Sequence, residues 1–245
     1  MAPEPLTHAQ PLHVGIIMDG NGRWADKRGL RTTDGHVAGV GALKRTVTAA
    51  PRQGITTLSI YAFSSYNWAR PADEVGALMS LMADYLSCER AALEQSGIRL
   101  TVFGRRDRIP RALVDEIANV ELATAKNTRL HLRIAIDYSG RADIIAAISR
   151  LAPGEVLFGS LTADRVSAAL AAQRMPQRSN TPPTDVDLII RTGGDQRLSD
   201  FLVWEAAYAE LLFSKVLWPD FGEAELVAAL SDYHGRQRRY GARPA

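Results

Sequence analysis

Five short apolar runs punctuate this chain and restrict its fold more than any other feature. They are Val14–Met18, Leu58–Phe63, Leu100–Phe103, Leu130–Ile136 and Val186–Ile190. Several carry hardly a polar residue, the mark of strands covered on both faces. Leu211–Phe213 reads as a short sixth. Between the runs lie helical patterns at about 36–53, 71–96, 110–126, 140–151, 162–174 and 222–238. In the second, Val75, Leu78, Met79, Met82 and Leu86 share one face, Pro71 suits the first turn and Gly97 follows the end. This alternation predicts an α/β fold, a central, mostly parallel six-stranded sheet flanked by helices. No shift in composition divides the chain. Residues 13–245 are therefore expected as one domain behind a flexible arm, residues 1–12, that holds three prolines. "RMPQRSNTPPTD", 174–185, is the clearest loop.

The chain's 245 residues are enough for a substantial core. A net charge of +2 implies no bulk pull toward nucleic acid or lipid, so any basic site is local. The single cysteine, Cys88, cannot form an internal disulfide, which makes a reducing cytoplasm the simplest compartment. Its helical setting makes it a packing residue. No stretch approaches the roughly 18 apolar residues of a membrane span. The N-terminus has no secretory core.

Ligands of such a sheet gather at the carboxyl ends of its strands. The first run ends there in "DGNGR". A carboxylate at Asp19 suits a hard cation such as Mg²⁺, with phosphate oxygens completing its shell. Gly20 and Gly22 let backbone approach a ligand closely, and Arg23 adds a planar positive fork. The set fits a diphosphate and a metal ion. From spacing alone, a Gly turn capped by Asp and Asn explains it equally well. Two further strand ends carry the same chemistry. "SSYNWARP" brings Ser64, Ser65, Asn67, Trp68 and Arg70; "RTGGDQRLSDF" brings Arg191, Asp195, Arg197 and Ser199. Arg31 and His36 follow the first motif. No phosphate loop of the GxxxxGK[ST] kind, no Gly-x-Gly-x-x-Gly, no zinc spacing and no G-x-S-x-G elbow is present.

Together "HVGIIMDGNGRWA", "GHVAGV", "LSIYAFSSYNWARP", "DLIIRTGGDQRLSDFLVWEAAYAELLFS", "WPDF" and "RRYG" resemble the cis-prenyltransferases, the undecaprenyl diphosphate synthase family. The resemblance spans residues 13–241 in the expected order. It implies repeated condensation of isopentenyl diphosphate with an allylic diphosphate, farnesyl or geranyl diphosphate, each new double bond being cis. It also implies Mg²⁺ dependence, a hydrophobic tunnel and a homodimer. By the same resemblance, Asp19 and Asn67 would be catalytic, and Asp19 and Glu210 would serve the metal. Gly20, Asn21, Gly22, Arg23, Trp24, Arg31, His36, Ser64, Trp68 and Arg70 would hold the allylic diphosphate or organise both substrates. Arg191, Arg197 and Ser199 would bind the isopentenyl diphosphate, and Arg239 and Gly241 would reach the partner's site. Helix 71–96 and strand interiors, including Ala62, Met82 and Leu130, would line the tunnel. The expected protein is cytoplasmic, with peripheral contact at the inner leaflet as the route for unloading product.

The chain departs from the family's pattern at several places. Tyr66 stands where Glu is usual, Thr32 where an arginine is common, and Asp195 where Glu is commoner. Gln196 takes the place of a His found in some members. Asp137 and Ser139 replace Asn and Gly, and a Tyr85 pointing inward would shorten the product. Three other readings compete with a long-chain elongase. They are a short-chain or irregular, head-to-middle synthase; a non-catalytic prenyltransferase subunit, in which the first motif is lost; and a generic phosphate-ligand binding protein.

Overall fold

Six strands form one sheet in this computed structural model, which describes residues 11–151, 161–174 and 185–237. They are Leu12–Ile17 (β1), Ile55–Ser64 (β2), Ile98–Phe103 (β3), Leu130–Tyr138 (β4), Leu188–Arg191 (β5) and Glu210–Phe213 (β6). Their spatial order is β3-β4-β2-β1-β5-β6. Every neighbouring pair is parallel, so the expected mostly parallel sheet is parallel throughout. The order reverses beside β1, which places a crevice at the carboxyl ends of β1, β2 and β5.

The helices are Asn21–Asp26 (α1), Thr32–Ala49 (α2), Ala72–Gln95 (α3), Arg111–Ala123 (α4), Gly140–Ser149 (α5), Ala163–Arg174 (α6) and Glu223–Gly235 (α7). Asp73 and Glu74 in the first turn of α3 complement its dipole, and Gly97, at φ +72°, lets the chain turn just past its end. One sheet face, through Val14, Ile16, Leu58 and Ile60, shares a core with Leu43, Met79, Leu86, Leu113 and Leu226 of the helices. On the other face Ile17, Tyr61, Phe103 and Ala135 meet Tyr138, Phe201 and Leu202, with the rings of Tyr61 and Phe201 stacked at 4.6 Å.

Several expectations change. The Gly-rich stretch after β1 is a short helix rather than a turn. Gly20, at φ +110°, reverses the chain, and α1 starts at the next residue. Leu12 belongs to β1 and is buried, not part of an arm, while residues 1–10 lie outside the described residues. Cys88 is exposed rather than packed, because it falls two positions, roughly 200° around the helix, from the buried Leu86. Residues 175–184 of the expected loop, and Arg239 and Gly241, also lie outside the described residues. No described helix is long and apolar enough to cross a membrane.

Candidate active site

The Asp19 backbone is pinned where β1 leaves the sheet. Its N–H donates to Thr192 Oγ1 at 2.9 Å, and that hydroxyl donates to the Asp19 carbonyl at 2.7 Å. Trp218 N–H reaches the same carbonyl at 3.1 Å. Gly193, at φ +83°, lies against this junction. A Cβ there would come within 2.7 Å of Arg23 Nη2 and 3.0 Å of the Asp19 carbonyl, so the glycine is needed for close approach.

The carboxylate of Asp19 sits between two guanidiniums. Arg191 Nη2 donates to Oδ2 at 2.7 Å and Arg23 Nη2 to Oδ1 at 3.0 Å. Burial alone would push its pKa up, but the hydrogen bond and charge of Arg191, and then those of Arg23, hold it below the usual carboxylate range. Arg191 is buried, and its other arm donates to Ser199 Oγ and to the Arg197 carbonyl, each at 2.7 Å. Asp195 takes N–H groups from Arg197 at 2.7 Å and Arg191 at 3.2 Å. A buried arginine, two more exposed ones and two acids thus share one cluster.

Asp19, Arg191, Asp195, Arg197 and Ser199 of this cluster, but not Arg23, line a polar pocket of about 350 Å³, together with Asn21, His36, Tyr61, Ser64, Asn67 and Arg70. Arg70 and His36 both approach Glu74, at 2.9 and 3.4 Å. Burial pushes the His36 imidazole down, further than Glu74 raises it. Asn21 Oδ1 is buried with no hydrogen-bond partner, and His36 Nε2 has only its 3.4 Å contact with Glu74. An orphaned buried oxygen calls for a ligand or water.

Below the polar pocket lies an apolar cavity of about 90 Å³. The two share Met18, Asn21, His36, Ala62 and Leu78 as a common wall. Deeper, the cavity is lined by Leu81, Met82, Tyr85 and Leu86 of α3 and by Ile134 and Ile136 of β4. Ala62 and Met82 line it as expected. Leu130 does not, because it begins β4, at the far end of the strand from the pocket, and is fully buried in the core.

Most expected site residues meet here; some lie elsewhere. Gly20 and Gly22 bracket the start of α1. A Cβ on Gly20 would meet Leu217 at 2.8 Å, whereas one on Gly22 would make only ordinary contact with Thr32 at 3.7 Å. Trp24 donates its Nε1–H to Asp220 at 2.7 Å, carries Arg28 over its ring and does not line the pocket. Arg31 is exposed and paired with Asp34 at the start of α2. Trp68 packs edge-on against Phe63 and lines a separate groove between α3 and α4. Glu210 opens β6 opposite Leu188 and accepts from Arg236 at 2.8 Å. By register it lies three residues back along the sheet from Ile17 and two strands across, about 10 Å in each direction. The chain alone does not bring Glu210 to Asp19. Thr192 and Glu74 were missed: neither stands out by residue type, though Glu74 falls four positions after Arg70 on one helix face.

A parallel sheet with an arginine-lined polar pocket over an apolar hollow defines a protein that takes an amphiphile with an anionic head. The family model described as "Putative undecaprenyl diphosphate synthase" matches residues 17–241. The chain belongs to that prenyltransferase family. It is similar to isoprenyl transferase 1 of Bradyrhizobium diazoefficiens, 50% identical over 98% of this chain and 94% of the relative. It is also similar to the (2E,6E)-farnesyl-diphosphate-specific ditrans,polycis-undecaprenyl-diphosphate synthase of Pseudomonas aeruginosa, 48% identical over 94% and 90%. Among solved structures, lavandulyl diphosphate synthase from Lavandula x intermedia, in complex with dimethylallyl diphosphate, superposes with a TM-score of 0.84 at 36% identity, covering 94% of this chain and 98% of that one.

Proposed function

We propose that this chain condenses isopentenyl diphosphate with an allylic diphosphate to give a cis-polyprenyl diphosphate. The observation that carries the reading is the common wall between the arginine-lined pocket and the apolar cavity. A substrate with a charged head and a hydrocarbon tail can span it. Asp19, Asn21 and Arg23 are all present, which argues against a non-catalytic subunit.

The donor set fits Mg²⁺. Asp19 is a half-buried carboxylate, with Asp195 beside it, at a pocket large enough for phosphate oxygens and waters, the mixed shell this ion prefers. Asp19 would hold the ion, which when bound supplies positive charge against the diphosphate oxygens. Arg23, Arg191 and Arg197 bind the two heads and stabilise the charge that gathers on the departing diphosphate as the allylic C–O bond breaks. Ser64, Asn67 and Arg70 orient the isopentenyl double bond toward the allylic carbon. The His36 imidazole, with Glu74 3.4 Å from its Nε2, is one acceptor for the proton the isopentenyl unit then loses; a diphosphate oxygen is the other. The tail enters the cavity between α3 and β4. We further propose a homodimer in which Arg239 and Gly241 approach the partner's site, and a cytoplasmic enzyme that touches the membrane peripherally to deliver product. A short product is the second reading, favoured by Tyr85 in the cavity wall.

Incubation with labelled isopentenyl diphosphate, farnesyl diphosphate and Mg²⁺ tests the proposal. Label enters an organic-soluble product in the expected outcome; no incorporation with farnesyl, geranyl or dimethylallyl diphosphate overturns it. Chromatography of the dephosphorylated product separates the long- and short-chain readings.

A further inference from the structure

Ser64, Asn67 and Arg70, which line the polar pocket, lie on or beside one 3₁₀ turn, Ser65–Ala69. The turn is closed internally, with Ser64 N–H donating to Asn67 Oδ1 at 2.9 Å and Tyr66 N–H to Ser64 Oγ at 3.2 Å. Its crest gives it no anchor, since Tyr66 is 71% exposed. Support comes from beneath, from Asp137 near the end of β4. Asp137 is 1% exposed and holds a left-handed backbone at φ +51°, uncommon for a side-chain-bearing residue and worth a functional explanation. Its carbonyl accepts from Arg105 N–H at 3.1 Å, which locks that conformation.

Three donors converge on the two carboxylate oxygens. Ser65 Oγ donates to Oδ1 at 2.9 Å, Arg108 Nε to Oδ2 at 2.9 Å, and Arg108 Nη2 also to Oδ1. The guanidinium so held lies 5.5 Å from the centre of the Trp68 ring. Asp137 therefore grips the turn twice, through Ser65 directly and through Trp68 by way of Arg108. We propose that Asp137 is a positioning residue, whose buried carboxylate, clamped by Arg108, sets the orientation of the turn that carries Asn67. The amide usual in the family at this position keeps an acceptor oxygen for Ser65, so Asp137→Ala, which removes both arms of the clamp, is the variant that tests it. The Arg108 side chain is 37% exposed and can turn to water, so losing its partner does not trap a buried charge.

The kinetic part of this inference rests on the prenyl-transfer reading; the bracing of the turn does not. Two measurements on the full-length chain keep them apart. Hydrogen exchange of the 64–70 amides rises about 10-fold in Asp137→Ala and less in Ser65→Ala, with β1 and α3 peptides unchanged. In turnover assays kcat falls about 10- to 100-fold in Asp137→Ala, the scale of a small misplacement of reacting groups, while KM for the allylic diphosphate stays within about 3-fold. The double variant is no worse than Asp137→Ala alone, because the Ser65 hydroxyl acts through the Asp137 carboxylate. A rise in exchange confined to 64–70 in the variants, in a chain whose wild type shows no transferase activity, upholds the brace and removes the prenyl-transfer reading. Unchanged exchange in Ser65→Ala and Asp137→Ala overturns the brace, and a loss carried entirely in KM overturns the positioning role. Ser65→Ala, which leaves the ion pair intact, keeps the test open should Asp137→Ala fail to fold.

Discussion

Asp19 is the residue at which the charge balance of the site is decided. Arg191 and Arg23 keep its carboxyl ionised to unusually low pH, so the stability it contributes is present above the ordinary carboxylate pKa of 3.8 and is lost as pH falls through the lowered value. Asp19→Asn keeps the shape and removes the charge. Turnover should fall on the order of 10³-fold, the upper scale for losing a preorganised electrostatic contact. The melting temperature should move little, because Arg191 retains Asp195, 3.2 Å away. Steady-state kinetics beside thermal denaturation checks both; a variant with near wild-type turnover removes Asp19 from the chemistry. Asp19, Arg23 and Arg191 were legible in the sequence because charged residues ending apolar strands stand out. Thr192 was not, since its role is to hold a backbone atom 173 residues away in sequence.

Among the elements, β4 carries a polar cost that its near-continuous apolar pattern hides. His131 faces Thr101 of β3 at 2.8 Å, and burial, then the charges of Arg133, Arg99 and His13, push its imidazole down to about 3. The unfolded chain takes up a proton near 6.5 that the folded chain refuses until about 3, so stability is full above that upper value and falls with pH below it. This group alone should remove about 2 kcal/mol of stability between pH 7 and pH 5. Urea denaturation at the two pH values should show that loss in the wild type and about 2 kcal/mol less of it in His131→Gln; identical slopes would contradict the assignment. Helix α3 was read well from its repeat, since Val75, Met79 and Leu86 are buried as expected. Helix α1 was not, because Gly20 and Gly22 mask its propensity and packing on α2 outweighs that. A Cβ on Gly35 would sit 2.2 Å from the Asn21 carbonyl, so the two helices meet backbone to backbone.

At the level of the whole molecule, the volume beneath the pocket limits what the protein can make. A cavity of about 90 Å³ holds several water-sized groups, given that one needs ~10–15 Å³ by a comparable measure. A tail of tens of carbons exceeds that volume, so the cavity must widen to take one. Tyr85, 8% exposed and part of that wall, is the side chain to remove. Tyr85→Ala should shift the product distribution to longer chains, read by chromatography after dephosphorylation; an unchanged distribution places the length limit elsewhere. The sequence by itself determined the parallel α/β architecture, the carboxyl-end crevice and the arginines that gather there. Those follow from periodicity and from charge at strand ends, which are local properties of the chain. Only the tertiary structure decided that Trp24 pairs with Asp220, Arg31 with Asp34 and Glu210 with Arg236, that Asp137 braces the turn, and how little space lies under the pocket. Those depend on register and on packing between elements distant in sequence, where a shift of a few ångströms separates a ligand-facing side chain from a buried one.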